Sequence, residues 1–138
     1  GESELPHVIY GETAEVDDER NFVRMRRLKA PENLNWRSFK DGMMVCHQAF
    51  YARRDIAPLY DLKYRLSSDV DWCIKVMKAS TRLVKVDAVV VNYLQNGLSL
   101  KRHRESLIER FKVMCSHYGV LPTICRHIWF VLRAVIKK

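Results

Sequence analysis

The clearest hydrophobic pattern in the chain lies between residues 68 and 80, where apolar residues recur with the spacing of one helix face. The members of this stripe are Val70, Cys73, Ile74 and Met77. Their spacing predicts an amphipathic helix that packs this face into the core. Ser68 and Asp71 have the spacing of a capping box, and Asp71 precedes Lys75 by one turn, which favours an ion pair. Asp69 belongs to another side of the helix and has no obvious local partner.

The other patterns indicate four β-strands and three further helices. β-rich runs occupy residues 8–13, 22–27, 45–53 and 83–94, the third is expected to be central, and the last is expected to bend near Asp87. Residues 35–40 suit a short helix that stops at Gly42. Residues 96–98 suit a turn, and Ser99 suits the N-cap of the helix that follows.

Two helices are predicted to end the chain. The apolar stripe of the first consists of Leu107, Ile108, Phe111, Met114, Cys115 and Tyr118, and Gly119 stops it. The second starts at Pro122 and runs to Lys138. Strands mixed with helices predict an α/β or α+β domain with a mixed sheet. We expect a sheet portion over residues 1–121 and a basic amphipathic helix over residues 122–138.

Charge is distributed unevenly along the chain. The net charge is +8, but all 24 Lys and Arg residues and only nine of the 16 acidic residues lie from Arg20 onward, so that part carries +15. Such a surface attracts nucleotide phosphates, nucleic acid or acidic lipid headgroups. The four cysteines have no zinc-type spacing, which favours free thiols in a reducing, cytoplasmic setting.

Asp69 is the leading candidate for chemistry, because a carboxylate in the first turn of a helix is favoured as an anion. An ionised carboxylate can act as a general base on an acceptor hydroxyl. The alternative is that Asp69 and Asp71 only cap the helix, and spacing alone favours this alternative. His47 and Gln48 lie in the predicted central strand, where contact with phosphate or metal competes with a plain core role.

A second candidate is the basic cluster Lys101, Arg102, His103 and Arg104. Cations in the first turn of a helix oppose the macrodipole, so the cluster suits an anion pocket, although a solvated basic face fits equally well. The terminal helix is too short to cross a bilayer but is apolar and cationic. It suits either contact with anionic lipid in the plane of a membrane or packing onto a partner.

Several segments in order resemble the second half of family 2 glycosyltransferases, which have the GT-A fold. They are residues 8–12, 27–31, 46–50 with the arginine pair 53–54, 59–64, 68–72 (Ser-Asp-Val-Asp-Trp) and 92–99. The resemblance implies an inverting transfer of sugar from a nucleotide-sugar to a glycan or lipid-linked hydroxyl. It makes Asp69 the catalytic base, with Asp71 and Trp72 in supporting positions.

By the same resemblance, His47, Gln48 and the basic cluster contact the leaving diphosphate or the acceptor. A divalent metal, Mg²⁺ or Mn²⁺, is implied, with its main ligands in an N-terminal half that this chain lacks; His47 is the single metal contact to consider here. We therefore expect the chain to be inert alone, to be cytoplasmic, and to reach the inner membrane face through residues 122–138. Exposed sheet edges favour a homo-oligomer. The competing hypothesis is a non-enzymatic domain that binds nucleic acid or a membrane surface.

Overall fold

The computed structural model describes residues 5–94 and 101–137, which form a mixed four-stranded sheet packed with helices. The strands are β1 (Val8–Val16), β2 (Phe22–Met25), β3 (Phe50–Ala52) and β4 (Leu83–Leu94). The α-helices are α1 (Ser68–Ala79), α2 (His103–Tyr118) and α3 (Val120–Ile136), and 3-10 helices cover Trp36–Asp41 and His47–Ala49. The predicted class, including the two consecutive C-terminal helices, is confirmed. The predicted turn at 96–98 and N-cap at Ser99 lie outside the described residues.

Strand β1 is the centre of the sheet. One of its edges pairs antiparallel with β3 over Val8–Tyr10 and with β2 over residues 14–16, while its other edge pairs parallel with β4. The β1–β4 register passes from Gly11 opposite Val86 to Glu12 opposite Val89. This irregularity is the predicted bend near Asp87.

The prediction of a central strand over residues 45–53 is wrong. His47–Ala49 forms a 3-10 turn, in which the Ala49 amide donates to the Cys46 carbonyl at 2.8 Å, and only Phe50–Ala52 is extended. β3 pairs only with Val8–Tyr10 at the near end of this β1 edge and β2 pairs with the far end, so β1, and not the 45–53 segment, is the central strand. The turn places His47 beside the sheet instead of within it.

Helix α1 supplies the centre of the core. Its predicted stripe is buried, with Cys73 and Ile74 fully so, and packs with Phe39 and with Val8 and Tyr10 of β1. The predicted capping box is wrong, because the N-cap is Ser67 and its side chain makes no capping hydrogen bond.

The predicted stripe of α2 is only partly correct. Met114 is buried, but Leu107 and Ile108 are exposed, and Ser106 and Val113 are buried instead. Helix α3 begins at Val120, two residues before the predicted start. Within the described residues, no helix has the length and apolar character needed to cross a membrane.

Candidate functional site

A cleft of about 180 Å³ opens beside the start of α1. The described residues that line it are Glu15, Arg26, Met43, Cys46, His47, Asp69, Tyr93 and Arg110. They come from β1, the segments that follow β2, the 3-10 turn at His47, the start of α1, the end of β4 and the middle of α2. The fold therefore brings Asp69 and His47, two of the sequence-predicted residues, into one cleft.

Asp69 is the second residue of α1, and its carboxylate is held at both oxygens. Oδ1 accepts the Val70 amide at 2.9 Å, and Oδ2 lies 3.1 Å from His47 Nδ1. Burial opposes ionisation, but the hydrogen bond and charge of His47, the Val70 amide and the charge of Arg110 outweigh it, so the pKa of Asp69 lies below its ordinary value. Asp69 is thus an anion at neutral pH that faces a cleft.

His47 is the partner that the local sequence around Asp69 does not reveal. It is the first residue of the 3-10 turn, and its side chain is 40% exposed where that of Asp69 is 28% exposed. The pair is therefore accessible from the cleft. Gln48, the next residue, is exposed and does not line the cleft.

The cleft contains two arginines that sequence analysis missed. Arg26 is fixed by the carbonyl of Met43, to which its Nη2 donates at 2.6 Å, and burial is the main cause that lowers its pKa. Arg110 presents a buried Nε with no hydrogen-bond acceptor among the described residues. Guanidinium groups stay protonated at neutral pH, so both side chains supply positive charge and donors for an anion. No local pattern marks either residue, because the tertiary packing of separate segments creates the cluster.

Glu109, also missed, replaces the predicted capping box at the entrance of α1. Its carboxylate accepts the backbone amides of Arg65 at 3.0 Å, Leu66 at 2.6 Å and Ser67 at 3.0 Å. Burial raises the pKa of Glu109, but the hydrogen bonds from the three amides lower it by more, so the pKa lies below its ordinary value. A carboxylate from α2 thus fixes the backbone segment that leads into Asp69. Local residue spacing cannot predict this contact, because it joins residues more than 40 positions apart in the sequence.

Asp71 lies on the buried side of the same turn. Its Oδ2 is 2.7 Å from Lys75 Nζ, which confirms the expected ion pair, and its Oδ1 is 2.7 Å from His117 Nε2. Lys78 Nζ lies 2.9 Å from the other ring nitrogen of His117. Lysine is only a donor, so His117 accepts at Nδ1 and donates from Nε2 to Asp71.

Trp72, in the same turn of α1, contacts three residues from other segments. Its indole N–H donates to the Pro58 carbonyl at 2.8 Å, its ring meets Phe50 edge-on, and the exposed Tyr60 ring stacks on it at 5.4 Å. Burial is the main cause that raises the pKa of Tyr60, and the charges of Cys73 and Asp69 add to it.

The predicted basic cluster does not line this cleft. Lys101, His103 and Arg104 are exposed, and Arg102 pairs with Glu105 one turn further along. Its anion-binding role stays a prediction. Among residues 5–94 and 101–137, no group of three or more His, Cys, Asp or Glu side chains is placed to hold a metal. The described lining combines the His47–Asp69 couple with two guanidinium groups, and the second carboxylate, Glu15, is paired with Arg24. With no metal-type grouping among these residues, the cleft fits an anion better than a divalent cation.

Comparison of the chain with protein-family models, curated proteins and solved structures finds no match.

Proposed function

We propose that this chain carries the acceptor-binding and catalytic-base portion of an inverting glycosyltransferase. The observation that carries the proposal is a single carboxylate, Asp69, which is ionised, faces a cleft and lies beside two arginines. The motif order that resembles family 2 glycosyltransferases supports the same role, with a nucleotide-sugar as donor and a hydroxyl compound as acceptor.

In the proposed reaction, Asp69 takes the proton of the acceptor hydroxyl as the acceptor oxygen attacks the anomeric carbon of the donor. The bond from that carbon to the diphosphate oxygen breaks, and the diphosphate leaves with the electron pair. His47 holds the carboxylate in place through Oδ2. A base with a pKa below neutrality is fully ionised at the moment of attack, which is the state the step needs.

The two arginines suit the leaving group. Negative charge increases on the diphosphate as the bond breaks, and fixed cations in a partly buried cleft stabilise that charge. The unpaired Nε of Arg110 is a donor that an oxyanion would satisfy. No step in this scheme passes through a metal, since the cleft does not offer a suitable ligand set. Metal and nucleotide contacts belong to residues outside this chain in the proposal.

The stacked pair of Tyr60 and Trp72 suits the acceptor. Their rings are nearly parallel, 11° apart, Tyr60 is exposed, and Trp72 lies three residues after Asp69 in α1. Such an aromatic face is apolar with a polar rim, which matches one face of a sugar ring.

The experiment that tests the proposal expresses the chain together with any segment that its gene encodes upstream of Gly1. Release of nucleoside diphosphate is then measured across a panel of nucleotide-sugars and acceptors. Loss of a positioned base costs about 10²–10⁴-fold in rate, so we expect Asp69→Asn to lose about that much. Asp55→Asn, at an exposed acid paired with Arg53, is the matched control and should retain full activity. Transfer that survives Asp69→Asn would overturn the proposed role.

A further inference from the structure

Helix α3 packs onto the rest of the chain through its more polar side. Thr123 is buried, Arg126 pairs with Asp41 at 3.1 Å, and the His127 ring meets Phe111 edge-on at 5.0 Å. Phe130, one turn further along, is partly buried. These positions follow the i, i+3, i+4, i+7 spacing of one helix face. The face that an amphipathic helix normally exposes is therefore the one that α3 uses for packing.

The opposite side of α3 is apolar and open to solvent. At 100° per residue, the arc defined by Leu121, Ile124, Ile128, Leu132, Val135 and Ile136 spans 120° of the circumference, with only apolar residues on it. These six side chains are between 38% and 78% exposed. Monomeric proteins rarely leave a contiguous apolar surface of this kind uncovered. We call this surface the exposed arc.

One border of the exposed arc carries an aromatic residue and a cation. Trp129 and then Arg133 lie between the arc and the packing face, and both are exposed, while Lys137, also exposed, lies in the last turn on the packing side of the helix. No Asp or Glu occurs from Val120 to Lys138. The helix thus combines an apolar half, an aromatic residue at the boundary and positive charge with no acidic residue to balance it.

We propose that α3 docks in the plane of an anionic lipid bilayer, with the exposed arc buried among the upper acyl chains. Arg133 then lies at the level of the phosphate headgroups, and Trp129 lies at the interface, where its ring is favoured. Charge selects lipid over a second copy of the chain. Two copies of the arc facing each other bring together helices that each carry only positive charge, whereas an acidic leaflet supplies the opposite charge.

The test is co-sedimentation of the full chain with phosphatidylcholine vesicles that either contain or lack phosphatidylglycerol. We expect binding to the anionic vesicles only, weakening as salt is raised. Ile128→Glu places a charge in the middle of the exposed arc and should lower the partition coefficient by about ten-fold or more. Leu62→Glu adds the same charge at an 86% exposed loop residue and should lower it much less.

Two further measurements keep the result unambiguous. Equal unfolding midpoints of the two variants show that neither is misfolded, which is expected because both sites are exposed. Anionic vesicles should shift the tryptophan emission of the unaltered chain to shorter wavelength, and Trp129→Phe should remove that shift. Equal binding to uncharged vesicles overturns the proposal, as does binding that Ile128→Glu leaves unchanged. An oligomer that Ile128→Glu dissociates, in a chain that ignores vesicles, identifies a second copy as the occupant instead.

Discussion

The first turn of α1 supplies the aspartates of two His–Asp pairs, one that is open to a cleft and one that is buried. His47 and Asp69 lie 3.1 Å apart, with side chains 40% and 28% exposed. His117 and Asp71 lie 2.7 Å apart, with side chains only 8% and 3% exposed. Two residues of sequence therefore separate a couple that faces a cleft from a couple that belongs to the core.

The difference lies in what surrounds each pair. Lys75 pairs with Asp71 and Lys78 contacts His117, so each charged group there has a partner within the protein, although Asp71 Oδ2 accepts no well-directed hydrogen bond. The open pair is flanked by Arg26 and Arg110 across a cleft, and the buried Nε of Arg110 has no acceptor among the described residues. A carboxylate becomes a candidate for chemistry when its neighbours leave space for a ligand and supply charged groups that the protein does not already use. The residue type alone does not decide this.

The largest expected effect separates the two aspartates by stability. Asp71→Ala leaves the buried His117 N–H without its charged acceptor, which costs about 1.5–3 kcal/mol, and removes the pair with Lys75, 36% exposed, which adds about 0–1 kcal/mol. Asp69→Ala removes a partly exposed pair and should cost about 1 kcal/mol or less. Urea unfolding of the two variants checks the order. A larger loss for Asp69→Ala would show that the open pair is the structural one.

A smaller loss is expected when the tertiary cap of α1 is removed. Glu109→Ala leaves three backbone amides without their charged acceptor, and hydrogen bonds to charged groups contribute about 1.5–3 kcal/mol. Glu105→Ala, which removes an exposed partner of Arg102 four residues earlier, is the control and should cost about 0–1 kcal/mol. Unfolding free energies measure both. Equal losses would mean that the Glu109 contacts contribute nothing beyond a surface charge.

The smallest effect is expected from titration of the buried pair. The pKa of His117 is lowered, by burial first and by the charges of Lys78 and Lys75, against the opposing pull of Asp71. Its unfolded form therefore binds a proton more readily, so its contribution to stability is complete above its ordinary pKa of 6.5 and is lost as the pH falls through the lower folded value.

Melting temperatures measured between pH 7.5 and about 5.5 (roughly one unit either side of an ordinary histidine pKa) should fall toward the acid end. His117→Gln should weaken that dependence. The lowered pKa values of Asp69 and Glu109 act in a more acidic window, below their ordinary values of 3.8 and 4.5. A His117→Gln profile as steep as that of the unaltered chain would contradict this assignment.

Local patterns predicted the elements whose stability is local. The stripe of Val70, Cys73, Ile74 and Met77 predicted α1 correctly, and the short helix predicted over residues 35–40 is the 3-10 helix Trp36–Asp41 with Gly42 after it. The strand predicted over 45–53 failed because a 3-10 turn closes within it, with the Ala49 amide bound to the Cys46 carbonyl, and because β1 takes the central position by pairing with the three other strands.

The candidate site was predictable only in part for the same reason. Asp69 and His47 were identifiable by residue type and context, but Arg26, Glu109 and Arg110 reach the site through packing. The basic cluster at 101–104 had the stronger sequence signal, yet its described side chains lie outside the cleft. A cluster of basic residues in the sequence does not predict the charged lining of this cleft, because tertiary packing brings those charges together from separate segments.

Helix α2 has a consequence for how the cleft operates. It supplies Glu109 to the entrance of α1, Arg110 to the cleft and His117 to the back of the same turn. One helix thus positions both the Asp69 carboxylate and one of its neighbouring cations. Their separation is set when the chain folds, so an anion that binds as proposed would meet charges that the fold has already placed.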